Sequence, residues 1–187
     1  MRYITGLFIM ALLASSSEAL AFKLRIDGLV TDYATQRPMA KARVRVYKDG
    51  ILDKMQGSDA QGRYTMVFDN NASYVVRVDA PGYQGKCITI DTHGKEWEGD
   101  GRISSLEVEM RLPAVRPGVD LSFLDLPMGV ARFDPSTGLA RWNRTYERNV
   151  KGDVRETMVE YDRYSGDLLQ PTANRRPRAE ATPVIRL

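Results

Sequence analysis

The stretch that decides the fold begins at Asp27-Gly28-Leu29-Val30-Thr31-Asp32 and passes through Arg37-Pro38-Met39 to Ala42-Arg43-Val44-Arg45-Val46-Tyr47. Ser58-Asp59-Ala60-Gln61-Gly62-Arg63-Tyr64 follows, then Tyr74-Val75-Val76-Arg77-Val78-Asp79-Ala80-Pro81-Gly82-Tyr83. Each piece alternates apolar and polar residues over a few positions and is closed by Gly, Asp or Pro, which is how short half-buried strands and tight turns look in sequence. The first strand is expected over 22–30, with Phe22, Leu24 and Ile26 on one face and a bulge or bend at Gly28. The second has Ala42, Val44 and Val46 inward, Lys48-Asp49-Gly50 marks a hairpin, and 51–56 is the return strand. Gly62 is expected at positive φ. Further strands fall at 63–68, 73–80, 86–91 and 103–112, which makes seven in all.

Four features recur in order: Gly28-x-Val30-x-Asp32, Pro38 with Ala42, Asp59-x-x-Gly62-x-Tyr64, and Pro81-Gly82-Tyr83. With these motifs, residues 22–112 resemble the carboxypeptidase regulatory-like domain, a transthyretin-like sandwich found beside secreted peptidases and in bacterial envelope proteins. The resemblance implies a mainly β protein, a seven-stranded antiparallel β-sandwich, and the pattern beyond Leu112 adds a short C-terminal helical appendage. Taken with the export signal and the sparse catalytic residues below, the resemblance points to a non-enzymatic module that binds an envelope protein or a polysaccharide, or that serves as accessory to an envelope assembly. A structural or folding-helper role and a hydrolase using carboxylates are the alternatives.

Residues 1–21 carry the signs of a cleaved signal peptide. Arg2 is the basic start, 4–14 is apolar, and Ala19-Leu20-Ala21 suits cleavage before Phe22. The apolar run is well short of the roughly 20 residues that span a bilayer. Export to a bacterial periplasm or outer surface is therefore expected. Cys87 is the single cysteine, so no internal disulfide can form, and its alternating context marks it as a core side chain. With 27 basic and 24 acidic residues interleaved, the net charge of +3 gives no basic face for nucleic acid.

Catalytic signals are sparse. A zinc hydrolase site needs several histidines and carboxylates, whereas His93 is the only histidine and stands in a polar loop. No cofactor is expected. The loop 93–102 is long, polar and glycine-rich, so it is the candidate binding loop, with Trp97 as the contact residue beside Glu96 and Glu98. Gly28, Asp32, Pro38, Asp59, Gly62, Tyr64, Pro81, Gly82 and Tyr83 are read as structural turn residues.

Beyond Leu112, residues 113–141 read as a linker and packing segment. Pro113 and Pro117 oppose further sheet pairing, and Leu121, Phe123, Leu124, Leu126, Met128 and Val130 are too apolar to stay in water. Trp142, Tyr146, Val150, Val154, Met158 and Tyr161 form one stripe of an amphipathic helix over 142–165, weakened at Gly152. The stripe either covers the sandwich or docks a partner. Residues 166–187 read as an extended or disordered tail.

Overall fold

A computed structural model describes residues 23–94, 103–134 and 139–169. Among these residues nine strands form two sheets packed face to face. The smaller has the order β4-β1-β7, from Arg63–Asp69, Lys23–Asp32 and Ile103–Leu112. The larger is β3-β2-β5-β6-β8-β9, from Ile51–Gly57, Arg43–Lys48, Ser73–Asp79, Lys86–Asp91, Pro127–Asp134 and Leu139–Trp142. The inward rows, including Leu24, Ile26, Val30, Val44, Val46, Phe68, Val76, Val78, Ile88 and Ile90, meet in one core. Burial of such rows is the main force holding two sheets together.

Three expectations need correction. Among the described residues the strands number nine rather than seven, because Pro127–Asp134 and Leu139–Trp142 add β8 and β9 to the larger sheet. Nor is the sandwich purely antiparallel: β1 pairs with β7, and β6 with β8, in parallel. Gly28 makes no bulge, since β1 keeps continuous register with both neighbours across it. It faces inward, and a Cβ built there would lie 2.0 Å from Cζ of Tyr64. Glycine is needed there for space, because the Tyr64 ring occupies the position a side chain would fill.

The motif residues converge at one corner. Val30 N–H donates to Gly62 O (2.8 Å) and Met39 N–H donates to Val30 O (2.9 Å), while Thr31 bridges Pro38. Gly62 has φ +72°, and a Cβ there would stand 2.5 Å from Val30 O. Asp59 Oδ1 accepts from the backbone N–H of Gln61 (2.9 Å) and Arg63 (2.8 Å), an Asx-type turn. Asp32 accepts from Thr35 N–H (2.6 Å), Thr35 Oγ1 (2.9 Å) and Tyr83 Oη (2.8 Å). Burial alone would raise the Asp32 pKa, but these bonds together hold it below the ordinary value. The turn Ala80-Pro81-Gly82-Tyr83, closed by Tyr83 N–H on Ala80 O (3.1 Å), presents Tyr83 to Asp32.

The edge strand β3 is exposed along most of its length, with Ile51, Leu52 and Met55 in water. A register shift in its pairing with β2 marks a bulge at Asp53. Lys54 Nζ donates to Val67 O (2.7 Å) and Gln56 Nε2 to Thr65 O (3.1 Å) on β4, so side chains occupy the gap between the two sheets on this side. A bulge and an edge lysine also discourage edge-to-edge pairing.

The C-terminal strap adds a second cluster. Pro113 and Pro117 do not end pairing as expected: Ala114 bridges Tyr83, and Val115 N–H donates to Gly82 O (2.8 Å). Leu121 and Leu124, in and beside the 3-10 turn Ser122–Asp125, pack with Met158 and Tyr161 of α1 (Arg144–Leu169). Tyr33, Val119, Met128 and Val154 complete the cluster, and Tyr33 meets Tyr161 edge to face at 5.8 Å. The apolar stripe of α1 thus lies on its own chain. The helix starts after Asn143 rather than at Trp142, whose backbone belongs to β9, and it continues through Gly152. Among the described residues no helix is long and apolar enough to cross a membrane.

Candidate functional site

The end of β6 creates the first element of the site. Thr92 is buried: its Oγ1 donates to Ala72 O (2.9 Å) and accepts from Ala72 N–H (3.1 Å), anchoring the strand to the β4–β5 turn. With Thr92 pinned inward, alternation sends Asp91 and His93 outward on the same side. His93 Nδ1–H donates to Asp91 Oδ1 (2.8 Å), and His93 backbone N–H donates to the same oxygen (2.9 Å). Burial pushes the Asp91 carboxyl up, but the two bonds from His93 and the charges of His93 and Arg132 outweigh it and lower its pKa. An ionised carboxylate only accepts, so a ring proton sits on Nδ1, and Nε2 is the nitrogen that Asp91 leaves unengaged. His93 is thus a solvent-exposed loop imidazole that Asp91 orients.

The β8–β9 hairpin supplies the second element. Asp91 stands in register with Arg132, and Arg132 directly faces Arg141. The result is an outward row of Asp91, Arg132 and Arg141 across three adjacent strands. Like charges directly opposite each other on a sheet are destabilising, and Asp91 offsets this only through an exposed contact of 3.7 Å to Arg132 Nε. A groove of about 470 Å³ lies here, lined by His93, Gly94, Arg132, Phe133, Arg141, Trp142 and Asn143. The Trp142 ring packs over Gly129 and borders the core. Asn143 Oδ1 caps α1, accepting from the N–H groups of Thr145 (3.1 Å) and Tyr146 (3.0 Å), so the positive end of the helix dipole also adjoins the groove.

A second groove, about 440 Å³, opens between α1 and the sheets, lined by Lys86, Glu109, Met110, Arg111, Met128, Glu147, Val150, Lys151 and Val154. Glu109 is held by Arg111 Nε (2.9 Å) and by Thr31 Oγ1 (3.1 Å). The Arg111 bond and charge, with Thr31, lower its pKa against a smaller opposing effect of burial. Among the described residues no three His, Cys, Asp or Glu side chains come together as a metal-holding group. Cys87 is buried, and burial raises its thiol pKa.

Of the candidate binding residues, Glu96, Trp97 and Glu98 lie outside the described residues. The turn residues Gly28, Asp32, Pro38, Asp59, Gly62, Tyr64, Pro81, Gly82 and Tyr83 are gathered around the β1 corner described above. The sequence pattern does not mark Asp91, Arg132, Arg141 or Lys86 as site residues, and it assigns Trp142 to the helix stripe. The spacing Asp91-Thr92-His93 at a strand end was a usable signal for the first. The two arginines flanking Asp134-Pro135-Ser136-Thr137-Gly138 were another, had that turn been taken as a hairpin.

No family profile and no curated protein matches the chain. Among solved structures, the Bacillus anthracis TIE protein is similar with a TM-score of 0.41 and 12% identity, over 50% of this chain and 18% of that one. The catechol 1,2-dioxygenase of Acinetobacter sp. ADP1 gives a TM-score of 0.39 at 12% identity, over 56% of this chain and 57% of that one. The 3-chlorocatechol 1,2-dioxygenase of Rhodococcus opacus 1CP gives 0.38 at 12%, over 51% and 61%. The chain thus spans less than two thirds of the length of each. These likenesses are a distant similarity of β-sandwich fold and assign no reaction to this chain. The expectation of a non-enzymatic module is corrected on this point: the matched structures are mostly catechol and hydroxyquinol dioxygenases, which are enzymes, each at 12–15% identity and over about half of this chain.

Proposed function

We propose that the exported chain, from Phe22 onward, binds a small molecule bearing an oxyanion in the groove between β6, β8 and β9. One observation carries the reading: Arg132 and Arg141 face each other in register beside the Asp91–His93 pair. Two facing guanidinium groups cost stability unless an anion lies between them, and their planar donor forks suit a carboxylate or phosphate. Trp142 and Phe133 border the same groove and offer an apolar wall to the body of the ligand. His93 Nε2 is placed to take a proton from a hydroxyl or a bound water, so the site can serve acid–base chemistry as well as binding. Positive potential from Arg132, Arg141 and the α1 N-terminus would draw the ligand in, and salt would weaken the attraction.

Calorimetric titration with aliphatic and aromatic carboxylates and phosphate monoesters tests this. Binding should weaken about tenfold or more in Arg141→Gln, since a charge-assisted bond is worth about 1.5–3 kcal/mol. Equal affinity in the Arg132→Gln/Arg141→Gln double variant, or no binding by any oxyanion up to ~10 mM, would overturn it. We also place the sandwich among the carboxypeptidase regulatory-like domains, a reading supported by the convergence of Gly28, Asp32, Gly62, Tyr64 and Tyr83 at one corner. Intact mass of the protein recovered from a periplasmic fraction should begin at Phe22.

A further inference from the structure

Lys86 stands where a lysine is costly. It faces Val78 across β5 and β6, and directly opposed residues share one face of a sheet. Val78 is fully buried in the core, and Ile88 and Ile90 follow Lys86 in the same inward row of β6. Among the described residues, no hydrogen bond or ion pair holds the amine. The groove into which it opens carries four apolar side chains, Met110, Met128, Val150 and Val154. The charged groups facing it are Glu109 and Arg111 from β7, and Glu147 and Lys151 from α1.

We propose that Lys86 is a reactive amine that forms an imine with the carbonyl of a small hydrophobic aldehyde held in this groove. Burial, aided by the nearby Arg111 charge, lowers the Lys86 pKa to about 8, so a large share of the amine is neutral in mildly alkaline solution. Only the neutral amine is nucleophilic, and desolvated lysines are the ones proteins use for this chemistry. The Nζ lone pair adds to the carbonyl carbon, and a proton moves from nitrogen to oxygen to give the carbinolamine. Its hydroxyl then leaves with the remaining amine hydrogen as water, and the C=N bond forms. Glu147 and Glu109 line the same groove and relay the proton. The apolar wall binds the aldehyde's chain or ring and keeps the lysine away from hydrated carbonyl compounds.

The test treats the full mature protein with hexanal or benzaldehyde plus cyanoborohydride, which fixes any imine as a secondary amine, followed by peptide mapping. Lys86 should be labelled about tenfold or more faster than the exposed Lys41, the direction expected when a desolvated amine competes with a solvated one. The rate should saturate with aldehyde concentration and reach half its maximum near pH 8. Lys86→Met should lose that adduct while still melting cooperatively. Labelling spread evenly over the lysines, a midpoint near the ordinary lysine value, or a rate that stays linear in aldehyde would each overturn the proposal.

Discussion

The β1 corner and the C-terminal strap are both tightly packed, but different forces hold them. At the corner the contacts are mostly backbone to backbone or backbone to carboxylate, such as Val30 with Gly62 and Met39, Asp59 with Arg63 and Asp32 with Thr35, joined by the hydroxyls of Thr35 and Tyr83 on Asp32. Such bonds need a particular residue at a particular position, because only a few residue types turn the chain or leave room there. In the strap, Leu121, Leu124, Met158 and Tyr161 bury apolar surface between the 3-10 turn and α1. That demand is satisfied by any apolar side chain of suitable volume. The corner is therefore specified residue by residue, and the strap only by pattern.

A pair of substitutions breaks this comparison most directly. Gly28→Val should be the most damaging change: its Cβ would overlap the Tyr64 ring at 2.0–2.5 Å, and both strands beside β1 would have to shift. The expected loss is about 4 kcal/mol or more, the range reserved for severe overpacking. Leu124→Ala should cost about 3 kcal/mol, the usual price of deleting a buried leucine. Chemical denaturation followed by tryptophan fluorescence and far-ultraviolet dichroism measures both. Gly28→Val should shift both signals together. Leu124→Ala should loosen the helical signal first, because α1 rests on that cluster whereas the sandwich core lies elsewhere. A milder effect from Gly28→Val than from Leu124→Ala would show that the corner repacks as freely as the strap.

The same contrast explains what could be read in the sequence. The seven strands from β1 to β7 were legible because their turns are written in local chemistry, such as Asp49-Gly50 between β2 and β3. Strands β8 and β9 were not: β8 opens on Pro127 and carries Gly129 inside it, both poor strand signals. Its pairing partner β6 is distant in sequence, and the pairing is parallel, so no hairpin advertised it. The site suffered accordingly. Asp91 and His93 are two residues apart, but Arg132 and Arg141 reach them only through the unpredicted hairpin. Lys86 was visible in principle, since Lys86-x-Ile88-x-Ile90 puts it in phase with two core residues. It was passed over because a lysine at a strand end is usually solvent-facing.

The smallest expected effect sharpens the corner's side of the comparison. Tyr64 is 4% exposed, and its Oη has no hydrogen-bond partner among the described residues. Burial raises the phenol's pKa, and no neighbouring charge or bond offsets it. An unmade hydrogen bond on a buried hydroxyl costs about 1–3 kcal/mol, whereas removing the hydroxyl leaves nothing unsatisfied. The ring, by contrast, is what fills the space over Gly28. Tyr64→Phe keeps that ring and deletes only the unpartnered oxygen. It should therefore be neutral or stabilise the protein by up to about 1 kcal/mol, within the span expected when a polar atom without partners is lost from a core. Thermal melts at neutral pH decide the point. A clear drop in melting temperature would mean that the hydroxyl is bonded in solution, for example to a buried water, and that it joins the polar contacts of Thr35 and Tyr83 in holding the corner.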